Sequence, residues 1–149
     1  MTEPAGGSYA FENVRAGQRE RLRTLEKLLD PGTIRHLQGR GVADGWRCLE
    51  VGAGGGSIAA WLCERVGSGG SVLATDLDTT VLGELSRSNL EIRVHDVLSD
   101  PLPADAFDLV HMRLLLGWLD RPQRALRRLT SALRPGGWLI AEEMDFVSA

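Results

Sequence analysis

Nothing in the sequence approaches the roughly 20 consecutive apolar residues that cross a bilayer, so no transmembrane helix and no membrane partner are expected. Cysteine is scarce. Cys48 and Cys63 form no CxxC pair and have no ligand-like histidine spacing nearby, which argues against a disulfide framework and a metal centre. Both fall inside expected elements, where a small apolar thiol belongs in the core. The N-terminus has no basic stretch followed by an apolar one, so no secretory signal is expected and the natural compartment is a reducing cytoplasm. Lysine is almost missing: of the 17 basic residues only Lys27 is not an arginine, and the arginines are scattered. With a formal net charge of −3, the chain has no dominant cationic footprint, and a nucleic-acid partner is not expected.

What is present suits one folded unit. A chain of 149 residues can bury roughly two-thirds of its unfolded surface. Its 43% hydrophobic and 25% charged residues are ordinary for a globular protein, which excludes wholesale disorder. Leucines 22, 25, 28 and 29 have helical spacing, and Asp30-Pro31 reads as a boundary that starts a second short helix carrying Ile34 and Leu37. From Trp46 the pattern alternates. Strands are expected at 47–51, 71–76, 90–96, 107–112 and from 138, with helices at 57–66, 79–86 and 122–133. Ser57 is a plausible cap for the first of these helices, and Arg134-Pro135-Gly136-Gly137 ends the last. Strand–helix alternation with short connections implies an α/β fold, a parallel sheet covered on both faces. Residues 1–44 read as a tail and helical lid, and 45–149 as the core.

In such a sheet, ligands sit beyond the carboxyl ends of the strands. The first strand ends there in Glu50-Val51-Gly52-Ala53-Gly54-Gly55-Gly56, where glycines allow a sharp turn and a close ligand approach. The dinucleotide pattern G-x-G-x-x-A also fits Gly54 to Ala59, so the loop alone leaves both nucleoside cofactor classes open. Asp76, 20 residues beyond Gly56, ends the second strand and suits the two ribose hydroxyls of an adenosine in either class. A surface acid capping the next helix is the alternative.

Taken in order, Glu50 to Gly56, Val72 to Asp76, Arg93-Val94-His95-Asp96, Phe107 to His111 and Leu133 to Ile140 resemble the successive motifs of class I S-adenosylmethionine-dependent methyltransferases. The resemblance covers about residues 46–143. It implies a Rossmann-like, doubly wound sheet in the order 3-2-1-4-5, here without the family's strands six and seven, and S-adenosylmethionine as cofactor. It also implies roles. Glu50 would order the loop or meet the methionine ammonium, and Gly52 and Gly54, with Ala53 and Gly56 in the same loop, would admit the cofactor to the backbone. Asp76 would take the ribose, Leu77 pack on the adenine, and Asp96 with Val97 read its edge. His111 and Met112 would end the fourth strand beneath the methionine arm. Glu50 as a buried structural acid and Asp96 as a turn cap remain alternatives.

Methyl transfer from a sulfonium is mostly a matter of positioning. His111 is the one candidate base, against a plainer reading as a packing residue. Tyr9, Phe11 and the following helix could form a lid, and Leu114 to Leu119 resembles the segment lining the acceptor site. The expected acceptor is a small molecule, since no N/D-P-P-Y sequence follows the fourth strand. A module that binds the cofactor without transferring the methyl group is the alternative. The fifth strand, with no hairpin beside it, would expose an apolar edge including Trp138, Leu139, Ile140, Met144 and Phe146. Self-association, or cover from a further C-terminal segment or partner chain, is therefore expected.

Overall fold

The computed structural model describes residues 6–145 and 147, with side chains from Val14 onward. Helix α1 (Gly6–Gly39) leads into strand β1 (Arg47–Val51), helix α2 (Ser57–Val66) and strand β2 (Ser71–Asp76). Strand β3 (Leu90–Val94), strand β4 (Phe107–Arg113), helix α3 (Pro122–Ala132) and strand β5 (Leu133–Glu142) complete the order. The sheet is wholly parallel in the order β3-β2-β1-β4-β5, the Rossmann-like arrangement the motifs imply.

Side chains alternate between the two faces of a strand, and that alternation divides the core. Cys48, Val72, Ala74 and Leu109 pack against Ile58, Leu62 and Val66 of α2 and against Leu37 at the end of α1. On the other face Leu49, Leu73, Val110 and Met112 pack against Ala125, Leu129 and Ala132 of α3. The cysteines are both free and buried in the first layer, where desolvation raises their thiol pKa values and keeps them protonated.

Four local expectations are corrected. No boundary occurs at Asp30-Pro31: α1 runs straight through, with Pro31 inside it. A proline there removes a ladder hydrogen bond, yet the turn is held from outside. The Asp30 carboxylate accepts from Arg113 Nη2 at 2.9 Å, so it is committed to β4 rather than to capping. The helix expected at 79–86 shrinks to a 3₁₀ turn, Leu82–Glu84, because the Asp78 side chain accepts the Thr80 N–H at 2.9 Å and forms a turn instead. Ser57 does not cap α2. Gly56 holds the N-cap position in the left-handed region at φ 88°, and no side chain bonds to the helix end. Finally, β5 begins at Leu133 rather than 138. Residues 134–137 bulge out between the pairs Phe107–Leu133 and Leu109–Trp138, with Gly136 at φ 83°.

Candidate functional site

The carboxyl ends of β1, β2 and β4 open into a cleft of about 600 Å³, within the usual range for small-molecule sites. Its floor is the glycine loop. Gly52, Gly54 and Gly56 have φ values of 68°, 57° and 88°, a region that penalises every residue with a Cβ. That explains glycine at all three places. The loop is tied to β2 by the Asp76 carboxylate, whose Oδ2 accepts the Gly54 N–H at 2.9 Å while Oδ1 accepts from Asp78 N at 3.3 Å. Ala53 N donates to the Thr75 carbonyl at 2.9 Å.

Helix α1 forms one wall. Leu22, Leu25, Glu26 and Leu29, one helical face, line the cleft opposite the loop. A Cβ on Gly54 would lie 3.2 Å from the Leu22 side chain, so helix and loop are already in contact. The mouth is formed by Leu114, Leu115 and Trp118, the last 86% exposed. Leu114 has φ 54°, unusual for a branched residue. It is held by its N–H to the Glu142 carbonyl at 2.8 Å, while Glu143 Oε1 accepts from the backbone of Leu115 and Leu116 at 3.0 and 2.8 Å. The side chains of Tyr9 and Phe11, expected in a lid, lie outside the described residues.

Of the expected cofactor contacts, Glu50, Gly52, Ala53, Gly54 and Asp76 share this cleft. The rest lie elsewhere. Gly56 caps α2, with Leu82 and Leu85 where its Cβ would be. Leu77 stands 71% exposed just after β2. Asp96 sits in a turn, accepting from Leu98 N at 2.8 Å while its own N–H goes to Asp100; hydrogen bonds from Leu98 N and Ser99 hold its carboxyl below the ordinary range. Val97 is buried in the α3 layer, where its carbonyl accepts from Arg128 Nε at 2.8 Å. Met112 is buried in the same layer.

His111 is fully buried, with both ring nitrogens facing carboxylates. Nδ1 lies 2.6 Å from Glu50 Oε2 and Nε2 2.9 Å from Glu142 Oε2. Burial alone would lower its pKa. The Glu50 charge and the hydrogen bonds to both carboxylates outweigh that and raise it to about 9. No ring nitrogen is free to take a proton.

Glu142 is the residue the sequence reading missed. Besides His111 it accepts from Thr33 Oγ1 and meets His36 Nδ1, both at 2.7 Å, so three bonds overcome its burial and pull its carboxyl down to about 2. Arg113 donates to Thr33 Oγ1 at 2.9 Å as well as to Asp30. The available signal was strand register. Glu50 faces His111 across β1–β4, and His111 faces Ile140, two residues before Glu142, which places all three on one side of the sheet.

A five-stranded parallel sheet in this order, with a glycine turn after the first strand and an acid ending the second, defines a Rossmann-like nucleoside-binding fold. Comparison makes the class specific. Residues 49–141 match the family model described as a methyltransferase domain. Over 104 residues the chain is 33% identical to methyltransferase str3 of Strobilurus tenacellus, covering 69% of this chain and 37% of that protein. Over 113 residues it is 31% identical to the ubiquinone/menaquinone biosynthesis C-methyltransferase UbiE of Vibrio vulnificus, covering 70% of this chain and 44% of that protein. A crystal structure of a SAM-dependent methyltransferase from Aquifex aeolicus superimposes with a TM-score of 0.65 at 25% identity, covering 82% of this chain and 71% of that one. The chain belongs to the class I S-adenosylmethionine-dependent methyltransferase family. The matched stretches span less than half the length of these two curated relatives.

S-adenosylmethionine is the cofactor of this family, and the cleft fits it. The loop offers a backbone cradle that a Cβ at Gly52 or Gly54 would narrow, with Leu115 and Leu22 as the facing side chains. Among the described residues, Arg21 and Arg113 are the arginines lining the cleft, against Glu26, Glu50 and Asp76. That acidic balance suits a cation.

Proposed function

We propose that the chain is the cofactor-binding part of a methyltransferase that acts on a small, largely apolar acceptor. The observation that carries this reading is the division of the cleft. Glycine backbone, Glu50 and Asp76 line one side, and Leu22, Leu25, Leu29, Leu114, Leu115 and Trp118, with Arg21 and Glu26 among them, line the other. On the polar side Glu50 receives the ammonium end of the cofactor, and Asp76 its ribose while bracing the loop. Residues 45–149 act as the core and 1–44 as the lid, with the α1 face at 22–29 closing over the cofactor. The Leu77 and Asp96 loops, though outside the cleft, flank the adenine end in this reading.

With both nitrogens of His111 engaged, the acceptor supplies its own nucleophile, a carbanion-like carbon or a neutral amine. The enzyme's part is then to bring acceptor and methyl group into line and exclude water. The C-methyltransferase among the relatives is consistent with such an acceptor. Calorimetry tests the reading. S-adenosylmethionine and its demethylated product should bind, and NAD should not. Binding of NAD with no response to either sulfur nucleoside would end it.

A reducing cytoplasm is the compartment this reading takes. The edge of β5 supports a second proposal. β5 pairs with β4 alone among the described strands, and Trp138 stays 42% exposed beneath the Arg40 guanidinium. A second copy, or a further segment or partner chain, covers that edge. Sedimentation at micromolar concentration should then show a dimer of this chain, whereas a monomer with β5 amides protected from exchange would remove the self-association.

A further inference from the structure

Two carboxylates face one imidazole. A neutral imidazole carries a single N–H and can donate to only one acceptor. Nδ1 at 2.6 Å from Glu50 and Nε2 at 2.9 Å from Glu142 can therefore both donate to carboxylates only as an imidazolium. The ring is an imidazolium wedged between β1 and β5, buried completely. Among the described residues no donor meets the other Glu50 oxygen, Oε1, and Glu50 lines the cleft beside Gly52 and Ala53. One oxygen is fixed from behind, leaving the other available to the cleft.

The same chain of bonds continues outward. Glu142 takes the Thr33 hydroxyl and faces His36, both on α1, and Arg113 orients Thr33 while binding Asp30 on that helix. The titratable and charged groups around His111 are thus Glu50 from β1 and Glu142 from β5, with Asp30 and His36 from α1 and Arg113 from β4 in the surrounding network. Arg113 is committed to Asp30, so the imidazolium is the cation between the two glutamates.

We infer that His111 and Glu142 are positioning residues: together they form a doubly protonated strut that aims Glu50 into the cofactor cleft and couples its placement to the seating of helix α1. This inference rests on reading the cleft as the cofactor site. Loss of a ring proton would leave one nitrogen facing a carboxylate lone pair to lone pair. The weaker link, Nε2 to Glu142, would open, and Glu142, with Thr33 and His36 bonded to it, would lose its tie to His111. The raised His111 pKa keeps the strut intact through neutrality.

The test combines nitrogen-15 NMR of the histidines with calorimetric titration by S-adenosylmethionine at several pH values. In the wild-type chain His111 should show two protonated ring nitrogens at pH 7, and cofactor affinity should be flat between about pH 6 and 8. Glu142→Gln keeps the shape but removes one carboxylate. It should weaken cofactor binding about five-fold or more and introduce a pH dependence within that window. Thr33→Val cuts one of the ties to α1 and leaves those through His36 and Asp30, so it should weaken binding less and leave the profile flat. A singly protonated His111 in the wild type, or a Glu142→Gln protein with wild-type affinity and a flat profile, overturns the inference. Wild-type protein that binds no S-adenosylmethionine overturns the cleft reading itself, and the inference with it.

Discussion

The two ends of the cleft are built by opposite means. At the glycine-loop end the backbone makes the site: three left-handed glycines turn the chain, and the Asp76 carboxylate clips the turn to β2. At the other end, behind the cleft where α1 and β5 meet β1 and β4, side chains brace it through Glu50, His111, Glu142, Thr33, Arg113 and Asp30. The first end is local and tolerates almost no side-chain volume. The second is assembled from residues as far as 109 positions apart and depends on protonation. Substitutions of the glycines should therefore act by sterics, and those in the other cluster by charge.

The largest effect is expected at the loop. Gly54→Val places a branched side chain at φ 57°, against Leu22, in the volume the cofactor needs. Cofactor binding should fall by more than about 100-fold in calorimetry, as expected when strain and steric exclusion act together. A Gly54→Val protein with wild-type affinity would break the account of this end.

Asp76→Ala comes next. It removes a charged acceptor worth roughly 1.5–3 kcal/mol, so affinity should drop about 10- to 150-fold. The Gly54 N–H also loses its partner, and exchange of that amide should quicken. Unchanged affinity would mean that Asp76 serves the loop alone.

At the other end the effect is one of pH. The His111 pKa is raised from 6.5 to about 9, so its contribution to stability is whole below 6.5 and is lost as pH rises through about 9. The Glu142 pKa is lowered from 4.5 to about 2, so its contribution is whole above 4.5 and is lost as pH falls through about 2. The cluster thus favours folding most between about 4.5 and 6.5. Urea midpoints should fall from pH 6 to pH 9.5, and His111→Gln should flatten that limb. An unchanged slope would contradict the ion triad.

The smallest effect belongs to the exposed ion pair of Arg19 with Glu84. Such pairs contribute about 0–1 kcal/mol, so Arg19→Ala should leave cofactor affinity within about two-fold. A larger loss would give this outer tie between α1 and the 3₁₀ turn a greater share in closing the cleft.

What could be read from the sequence follows the same division. Strand order, the glycine turn and the acid ending β2 are carried by residue types at short spacing, so the motifs expose them. Asp30-Pro31 misled because its local chemistry is that of a helix start. The carboxylate goes instead to Arg113, 83 positions away, and the turn beyond is anchored by Thr33 and the buried Leu37. His111 was visible as a titratable residue ending a strand, but its role depends on two carboxylates 61 and 31 positions away. No local motif marks Glu142. Only the register of β4 against β5 turns it toward His111.

The central claim is that glycine loop and helix α1 close on the same cofactor. Backbone amide exchange with and without S-adenosylmethionine tests it most directly. The account predicts added protection in two separate stretches, 52–58 in the loop and 22–29 in α1, with the α3 layer unchanged. Protection confined to the loop would leave α1 out of the site, and protection of neither stretch by a bound cofactor would contradict the claim.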